Sequence, residues 1–329
     1  MNYRNFGKTG IKVSQLVFGG GAVGGLIINQ DDETRQAAIR RALAAGINWI
    51  DTAPLYGQGR SEEALGWLLK EIDGKPYLST KFVIDTADMG DIAGQIERSL
   101  TESFERLQCS SVTLLQLHNP IGEKKPYNSV SGYMISAHDV LRTGGVLDGL
   151  DRLKDQGMFD HYGITAIGEA PEIVKVIESG RIASAQVIYN MLNPGAGYGL
   201  PQSWPAYNFT GILDACQKQN VAAMIIRVFS AGVLATDQRT GREAPLTLGD
   251  SVDSETAKAT AVFDKIGTDY GSQAQTAIRF ALSENKASCV VFGLAELEHL
   301  EEALAAEAKG PLPEEALEKI RSVYQQGIA

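Results

Sequence analysis

Cysteine and dense basic clusters are scarce in this sequence. Three cysteines, Cys109, Cys216 and Cys289, are scattered over 329 residues, and their spacing matches no metal-binding motif. A sparse, odd count is typical of the reducing cytoplasm, so we expect three buried thiols and neither disulfides nor a metal site. The net charge is -10 without any local run of lysine or arginine. This composition argues against nucleic acid and anionic membranes as partners.

Long apolar runs are also missing. The longest of them, such as residues 221–226, fall far short of the roughly 20 residues that a bilayer requires. The first residues carry no apolar core of a secretory signal. Hydrophobic residues make up 44% of the chain and charged residues 21%, as in ordinary soluble domains. We therefore predict a cytoplasmic protein whose length fits one large α/β domain or two smaller ones.

Short apolar strands alternate with amphipathic helices along the whole chain. Residues 3–14 predict a β-hairpin, and residues 313–324 predict a last, additional helix. The strands between them are predicted at residues 15–18, 47–50, 77–81, 112–117, 162–165, 185–189, 222–226 and 289–292. A helix follows each strand, and no linker interrupts the series. We predict one domain over residues 1–329, a (β/α)8 TIM barrel with an N-terminal β-hairpin and an extra C-terminal helix.

Four polar residues occupy corresponding places at the ends of neighbouring strands. Asp51 ends the second strand and Tyr56 follows it, while Lys81 ends the third strand and His118 the fourth. The carboxyl ends of barrel strands share one rim, where the active sites of such barrels lie. Lys81 can pair with Asp51, and its positive charge favours the ionised form of Tyr56. His118 can hydrogen-bond the same substrate oxygen and orient it.

This arrangement suits proton transfer to or from a carbonyl oxygen. The matching carbon needs a hydride, which no side chain supplies, so a nicotinamide cofactor is implied. Each residue also has a structural alternative. Asp51 and Lys81 can form a structural ion pair, His118 can serve turn geometry, and Tyr56 can be a packed rim aromatic. The four together favour a common function.

Three stretches resemble the aldo-keto reductase family: Asp51-Thr-Ala-x-x-Tyr-Gly, Ser79-Thr-Lys81 and Leu117-His118. The family's catalytic tetrad corresponds to Tyr56, Asp51, Lys81 and His118 without substitution. The resemblance implies NAD(P)-dependent interconversion of aldehydes or ketones and alcohols, with Tyr56 as general acid and base. The alternative within the same fold is a regulatory subunit that binds cofactor and turns over little.

Two further stretches resemble the aldose and L-galactose dehydrogenase branch of that family. They are Gly144-Gly-Val-Leu-Asp-Gly-Leu150 and Tyr189-Asn-Met-Leu-Asn-Pro194. This resemblance implies a small, sugar-like carbonyl substrate. The candidate pocket aromatics are the loop residues Trp204, Tyr207, Tyr127 and Tyr133, and the alternative for each is a solvated or packed loop anchor. The sequence leaves open whether the protein is a monomer or a homo-oligomer.

The family resemblance also implies a set of cofactor contacts. Gln186 corresponds to the residue that holds the nicotinamide carboxamide, Arg227 to a stacking position, and residues 228–234 to the loop that crosses the pyrophosphate. The complete expected set is Gly20, Asp51, Thr165, Gln186, Arg227, Val228, Phe229, Gly232, Leu234, Gly293, Glu296 and His299. The basic residue expected for the 2′-phosphate of NADP is absent, and Glu296 lies nearby. A carboxylate there repels that phosphate, so NAD is expected ahead of NADP.

Two other motifs predict nothing catalytic in their context. Residues 19–24 satisfy Gly-x-Gly-x-x-Gly, but the next helix signal begins only at Asp31 or Asp32, so we interpret them as a rim loop and not a Rossmann phosphate site. Tyr77 and Lys81 satisfy Tyr-x-x-x-Lys. On a strand, however, residues four apart are separated by about 13 Å, so we expect Tyr77 to be structural.

Overall fold

The computed structural model describes residues 1–21, 23–123, 133–201, 204, 206–239, 241, 243, 245–247 and 249–327. The strands of these residues are β1 (Tyr3–Asn5), β2 (Lys12–Ser14), β3 (Leu16–Gly19), β4 (Trp49–Asp51), β5 (Tyr77–Phe82), β6 (Val112–Leu117), β7 (Phe159–Ala166), β8 (Ser184–Ile188), β9 (Ala222–Ile226) and β10 (Ala287–Gly293). The helices are α1 (Leu26–Asn29), α2 (Asp32–Ala44), α3 (Arg60–Glu71), α4 (Ile92–Leu107), α5 (Ala137–Leu141), α6 (Val146–Asp155), α7 (Ala170–Glu178), α8 (Ile212–Lys218), α9 (Val252–Ile266), α10 (Gln273–Leu282), α11 (Leu297–Lys309) and α12 (Glu314–Gln326).

Eight parallel strands close into a barrel. The order is β10-β3-β4-β5-β6-β7-β8-β9, and each strand pairs in parallel with its neighbours. Strands β1 and β2 form a separate antiparallel hairpin, and α12 adds a helix after the last βα unit. The prediction of a (β/α)8 barrel with an N-terminal hairpin and an extra C-terminal helix is confirmed.

The barrel strands are apolar on both faces because each face is buried. Inside the barrel, Trp49, Leu114 and Met224 pack together, and Phe6 in the hairpin turn after β1 lies against Trp49 with 4.5 Å between ring centroids. A second, larger core fills the space between the strands and the surrounding helices. Burying a large apolar side chain contributes about 2 kcal/mol. The two cores thus fix the barrel and leave its carboxyl end for polar side chains.

The sequence missed two short helices. Helix α1 begins at Leu26, directly after the glycine run and before the helix predicted from Asp32, and its four residues are too few to show a helical period. Helix α5 lies inside the long loop predicted after the fourth strand, and its N-cap Ser136 accepts a hydrogen bond from the N–H of Asp139. Both helices lie at the carboxyl end of the barrel, in segments that were expected to be irregular.

The glycine run belongs to a closed barrel and not to a Rossmann sheet. A Cβ atom on Gly24 would collide with the main chain of Leu294, so this glycine permits close packing between the loops after β3 and β10. Among the described residues, no helix is both long and apolar enough to cross a membrane. The same residues contain no group of three or more His, Cys, Asp or Glu side chains that could hold a metal. Cys216 and Cys289 are buried, while Cys109 is only partly buried.

Candidate active site at the barrel mouth

Lys81 forms the centre of a polar cluster at the ends of β4 and β5. Its Nζ donates hydrogen bonds to Asp51 Oδ2 at 2.7 Å, to the Thr52 carbonyl at 2.8 Å and to the Tyr56 hydroxyl at 3.2 Å. The side chain is fully buried. Burial disfavours the charged form, but the Asp51 carboxylate and then Tyr56 outweigh it, so the pKa of Lys81 is raised above its usual value. Lys81 therefore stays positively charged.

Tyr56 lies between the buried lysine and solvent. Its ring is half-buried, and Lys81 Nζ is 4.7 Å from the ring centroid. The loop that carries it is tied at both ends, because the Tyr56 N–H donates to Ala53 and the Tyr56 carbonyl accepts from the Ser61 N–H. Gly57 follows with a φ of 64°, a conformation that glycine adopts without strain. The phenol is thus presented to the mouth with an ammonium group behind it.

The second oxygen of Asp51 is also occupied. Oδ1 accepts hydrogen bonds from Ser79 Oγ at 2.7 Å and from Gln186 Nε2 at 2.9 Å. Ser79 in turn accepts a hydrogen bond from Trp49 Nε1 at 3.0 Å. These contacts fix the carboxylate that holds Lys81. The family resemblance gave Gln186 only a cofactor role, whereas here its amide nitrogen binds Asp51.

His118 closes the cluster from the end of β6. Its ring meets the Tyr56 ring edge-on at a centroid distance of 6.0 Å. Burial, reinforced by the charges of Lys81 and Arg227, lowers the pKa of His118 from 6.5 to about 3, so the imidazole is neutral. Asn119 anchors the chain beside it by pairing with both main-chain groups of Ile84. The structure therefore brings the four predicted tetrad residues together.

Two buried polar atoms at the ends of β6 and β7 lack partners within the described part of the chain. They are His118 Nδ1 and Thr165 Oγ1. Thr165 is the last residue but one of β7 and pairs in register with Gln186 on β8. Buried polar atoms without partners are rare and costly, and they call for a ligand that supplies the missing hydrogen bonds. The residues present therefore fit a ligand with amide and hydroxyl groups, such as the nicotinamide riboside part of NAD(P).

The loop after β9 presents a different set of groups. Arg227 is exposed and Phe229 is half-buried, whereas the side chains of Val228 and Leu234 point into the core. Val228 and Leu234 can therefore contact a ligand only through their main chains. Gly232 has a φ of 106°, which other residues rarely adopt.

The remaining predicted cofactor residues fall into two places. Gly20 donates its N–H to the Asp51 carbonyl and accepts from Ser61 Oγ, so it supports the tetrad from behind. Gly293 ends β10 and is exposed. Glu296 is the N-cap of α11, and His299 Nδ1 accepts the N–H of Ala295 at 3.3 Å. Gly293 pairs in register with Gly19, so Gly20 and Gly293 lie near adjacent strand ends, whereas Glu296 and His299 lie at the start of α11.

The predicted pocket aromatics differ in their surroundings. Trp204 is buried and its Nε1 donates to the Leu192 carbonyl, so it anchors the loop after β8. Tyr207 stacks on Phe209, with 5.1 Å between centroids. Tyr133 is 57% exposed beside Asn119. Tyr127 lies outside the described residues. Trp204 is therefore a structural residue, and Tyr133 is the one of the three most open to a ligand.

Sequence reasoning missed several residues that support the site. Ser79 was noticed only as part of a family motif, and its contact with Asp51 needs the register of β4 and β5. Asn190 holds the carbonyl of Arg227, and Glu255 holds Ser230. An asparagine within a loop motif was a visible signal. Nothing in the sequence distinguished Glu255 from other helical glutamates.

The comparison with known families agrees with this geometry. A sequence model described as the Aldo/keto reductase family matches residues 15–325. The chain belongs to the aldo/keto reductase family. The members of this family are oxidoreductases, and the matched residues include all eight strands of the barrel.

Individual members of the aldo/keto reductase family are more distant. L-galactose dehydrogenase from Arabidopsis thaliana is 34% identical over 119 residues, which cover 35% of this chain and 37% of that protein. A probable voltage-gated potassium channel subunit beta from Oryza sativa subsp. japonica is 24% identical over 340 residues, covering 99% of this chain and 97% of that protein. The first match thus spans little more than a third of its relative's length.

A solved aldo-keto reductase has the same fold. The holo form of the enzyme from Bacillus halodurans superimposes with a TM-score of 0.73 at 21% identity, over 98% of this chain and 96% of that chain. At this identity the likeness concerns the barrel and its helices.

Proposed function

We propose that this aldo/keto reductase interconverts an aldehyde or ketone and the corresponding alcohol, with NAD(P) as cofactor and Tyr56 as general acid and base. The observation that carries the proposal is the contact of the Tyr56 hydroxyl with Lys81 Nζ at 3.2 Å, with Asp51 behind the lysine. Bound NAD(P) supplies or accepts the hydride at the substrate carbon. The protein's task is to move a proton at the substrate oxygen and to hold the reacting groups in place.

The residues of the cluster divide this task. In reduction, Tyr56 donates its proton to the carbonyl oxygen, and the Lys81 ammonium stabilises the phenolate that remains. In oxidation, the same phenolate accepts the alcohol proton. Asp51 keeps Lys81 charged and aimed at the tyrosine. His118 is neutral, so it can hydrogen-bond the substrate oxygen without adding a charge that competes with Tyr56.

Thr165 on β7 and Gln186 on β8 offer hydrogen-bonding groups for the nicotinamide carboxamide of the cofactor. Thr165 Oγ1 can donate to the carboxamide carbonyl of the nicotinamide, and Gln186 can accept from its amide, since Gln186 Nε2 is already bound to Asp51. Gln186 thereby couples cofactor recognition to the tetrad. Arg227 offers a planar guanidinium for stacking, as the sequence led us to expect.

NAD is the proposed cofactor rather than NADP. Residues 293–302 contain no lysine or arginine. Glu296 and Glu298 are exposed at the start of α11, and His299 uses its Nδ1 within the helix start. Two carboxylates without a cationic partner in that segment oppose a second phosphate on the adenosine ribose.

A sugar-like substrate is supported by the partial likeness to L-galactose dehydrogenase. The motif at residues 144–150, one of the two on which that expectation rests, contributes to the packing and hydrogen bonding of the fold. A Cβ atom on Gly145 would collide with the Asp139 carbonyl, and Asp148 binds the Gly144 N–H and Arg181. Small aldoses and their lactone-forming oxidation are therefore the first substrates to test, ahead of larger aldehydes.

The second candidate is a cofactor-binding regulatory subunit with little turnover. The nearly full-length likeness to a probable potassium channel subunit beta supports it. The complete tetrad supports an enzyme instead, since binding alone needs no acid and base. Catalytic turnover separates the two proposals.

The test has two steps. Fluorescence titration with NADH and with NADPH measures both dissociation constants, and we expect the one for NADH to be lower. Aldoses and aldehydes are then screened with the tighter cofactor, and we expect many turnovers per protein molecule. One turnover or less across the panel would favour the regulatory subunit, and binding of neither nucleotide would contradict both proposals.

A further inference from the structure

The loop that follows β9 contains unusually strained backbone. Three of its non-glycine residues have positive φ, namely Arg227 at 60°, Ser230 at 44° and Ala231 at 54°. Elsewhere in the described chain only Gln58, Gln108 and Asn220 share this property among residues other than glycine. Such backbone persists only where surrounding contacts hold it, and it concentrates at functional sites.

A single buried carboxyl group provides the main contacts. Glu255 lies in the first turn of α9 and has no exposed surface. Its Oε2 accepts a hydrogen bond from Ser230 Oγ at 3.0 Å, and its Oε1 accepts the N–H groups of Leu246 and Thr247, both at 2.7 Å. One side chain therefore ties the beginning and the end of the loop to one helix.

A second set of contacts joins this loop to the loop after β8. Asn190 Nδ2 donates to the Arg227 carbonyl at 2.8 Å. Thr247 Oγ1 donates to Asn193 Oδ1 at 3.3 Å, and Thr247 is itself held by Glu255. The strained residues are thus fixed from two directions, and Glu255 takes part in both the direct and the indirect connection.

We propose that Glu255 is a positioning residue for cofactor binding, because it holds residues 227–232 in the strained conformation that presents them at the barrel mouth. This inference rests on the proposed function, since it concerns the same cofactor site. Glu255 is fully buried and acts through Ser230 and the loop ends, not by touching a ligand. Without its acceptors, the loop would relax from the conformation that the ligand needs.

A purely structural role would have a different signature. It would lower thermal stability but leave cofactor affinity unchanged. The chain offers a matched control in Glu62, which is also fully buried in the first helical turn, of α3. Glu62 pairs with Arg106 Nε at 2.7 Å and with the Thr80 hydroxyl, and Thr80 is adjacent on β5 to Lys81 but on the opposite face.

The experiment compares Glu255→Gln, Ser230→Ala and Glu62→Gln in the full chain. For each, NADH affinity is titrated by fluorescence, the melting temperature is measured, and kcat and KM are determined. The free energy of one buried hydrogen bond corresponds to about a tenfold change in a dissociation constant. We therefore expect the NADH dissociation constant of Glu255→Gln to rise about tenfold. We expect Ser230→Ala to raise it in the same direction, by about threefold, because only one contact is removed. We expect kcat at saturating cofactor to stay close to that of the wild type in both variants.

Glu62→Gln is expected to lower the melting temperature while its NADH affinity matches that of the wild type. Unchanged affinity in Glu255→Gln, or an equal loss in Glu62→Gln, would overturn the inference while leaving the proposed function intact. If Glu255→Gln does not fold, Ser230→Ala decides by the same criterion. A wild-type protein that binds neither NADH nor NADPH would overturn the proposed function first, and the inference with it.

Discussion

The two sides of the barrel mouth are held in place in different ways. On the side of β4 to β6, the register of adjacent strands brings Asp51, Lys81 and His118 to neighbouring strand ends. On the side of β8 to β10, the loop after β9 depends on side-chain hydrogen bonds from Asn190, in the loop after β8, and from Glu255, in α9. The tetrad residues thus lie at or next to strand ends, while the proposed cofactor loop is held by side chains that lie outside the barrel strands.

This difference predicts that substitutions on the first side change the rate and those on the second change affinity. Substitution of Lys81 by Met should give the largest effect, because it removes the charge that stabilises the Tyr56 phenolate. We expect kcat to fall about 1,000-fold, within the usual range for acid and base catalysis. Steady-state kinetics at saturating cofactor measure it.

The control for this variant is Lys258→Met, which removes a buried lysine from the second side. Lys258 lies on α9 and pairs with Asp250. Its loss should lower stability and cofactor affinity while kcat at saturating cofactor stays close to that of the wild type. An equal loss of kcat in both variants would break the distinction between the two sides.

The neutral state of His118 should make stability depend on pH. The pKa of its imidazole falls from 6.5 to about 3 on folding, so between these values the unfolded chain binds a proton that the folded chain does not. The contribution of the neutral His118 to the free energy of unfolding is complete above pH 6.5 and is lost as the pH falls towards 3. At pH 5 the loss is about 2 kcal/mol.

Chemical denaturation at pH 8 and pH 5 tests this dependence. The free energy of unfolding of the wild type should fall by about 2 kcal/mol more than that of His118→Gln. An identical pH dependence in the two proteins would show that the histidine is not held neutral.

Removing the hydroxyl of Ser79 should have a smaller effect on the rate. Ser79→Ala leaves Asp51 with one donor fewer and leaves Trp49 Nε1 without its acceptor. We expect kcat to fall about tenfold with little change in cofactor affinity. Thr80→Val is the matched control, because Thr80 lies next to Ser79 on the outer face of β5 and should affect stability alone.

The sequence was sufficient for the fold and for the proximity of the four tetrad residues. Both follow from local patterns, since apolar strands of four to six residues repeat and polar residues follow or end three of them. Parallel pairing then places Asp51, Lys81 and His118 on one rim without further information. Helix α1 escaped prediction because its four residues, Leu-Ile-Ile-Asn after a glycine run, are too few to show periodicity.

The second side could not be predicted to the same depth. Residues 228–234 were expected at the pyrophosphate, but which side chains are buried there depends on how the loop folds back on α9. The contact of Gln186 with Asp51 also spans 135 residues. Such contacts depend on the closed barrel as a whole, and neither partner carries a local signal of it.

The most direct test of the central claim is the turnover of Tyr56→Phe beside its cofactor affinity. The substitution removes a hydroxyl that contacts Lys81 and retains the ring, so the barrel mouth keeps its shape. We expect loss of detectable turnover in Tyr56→Phe, with cofactor binding equal to that of the wild type. Turnover at the wild-type rate would contradict the assignment of Tyr56 as the proton donor and acceptor.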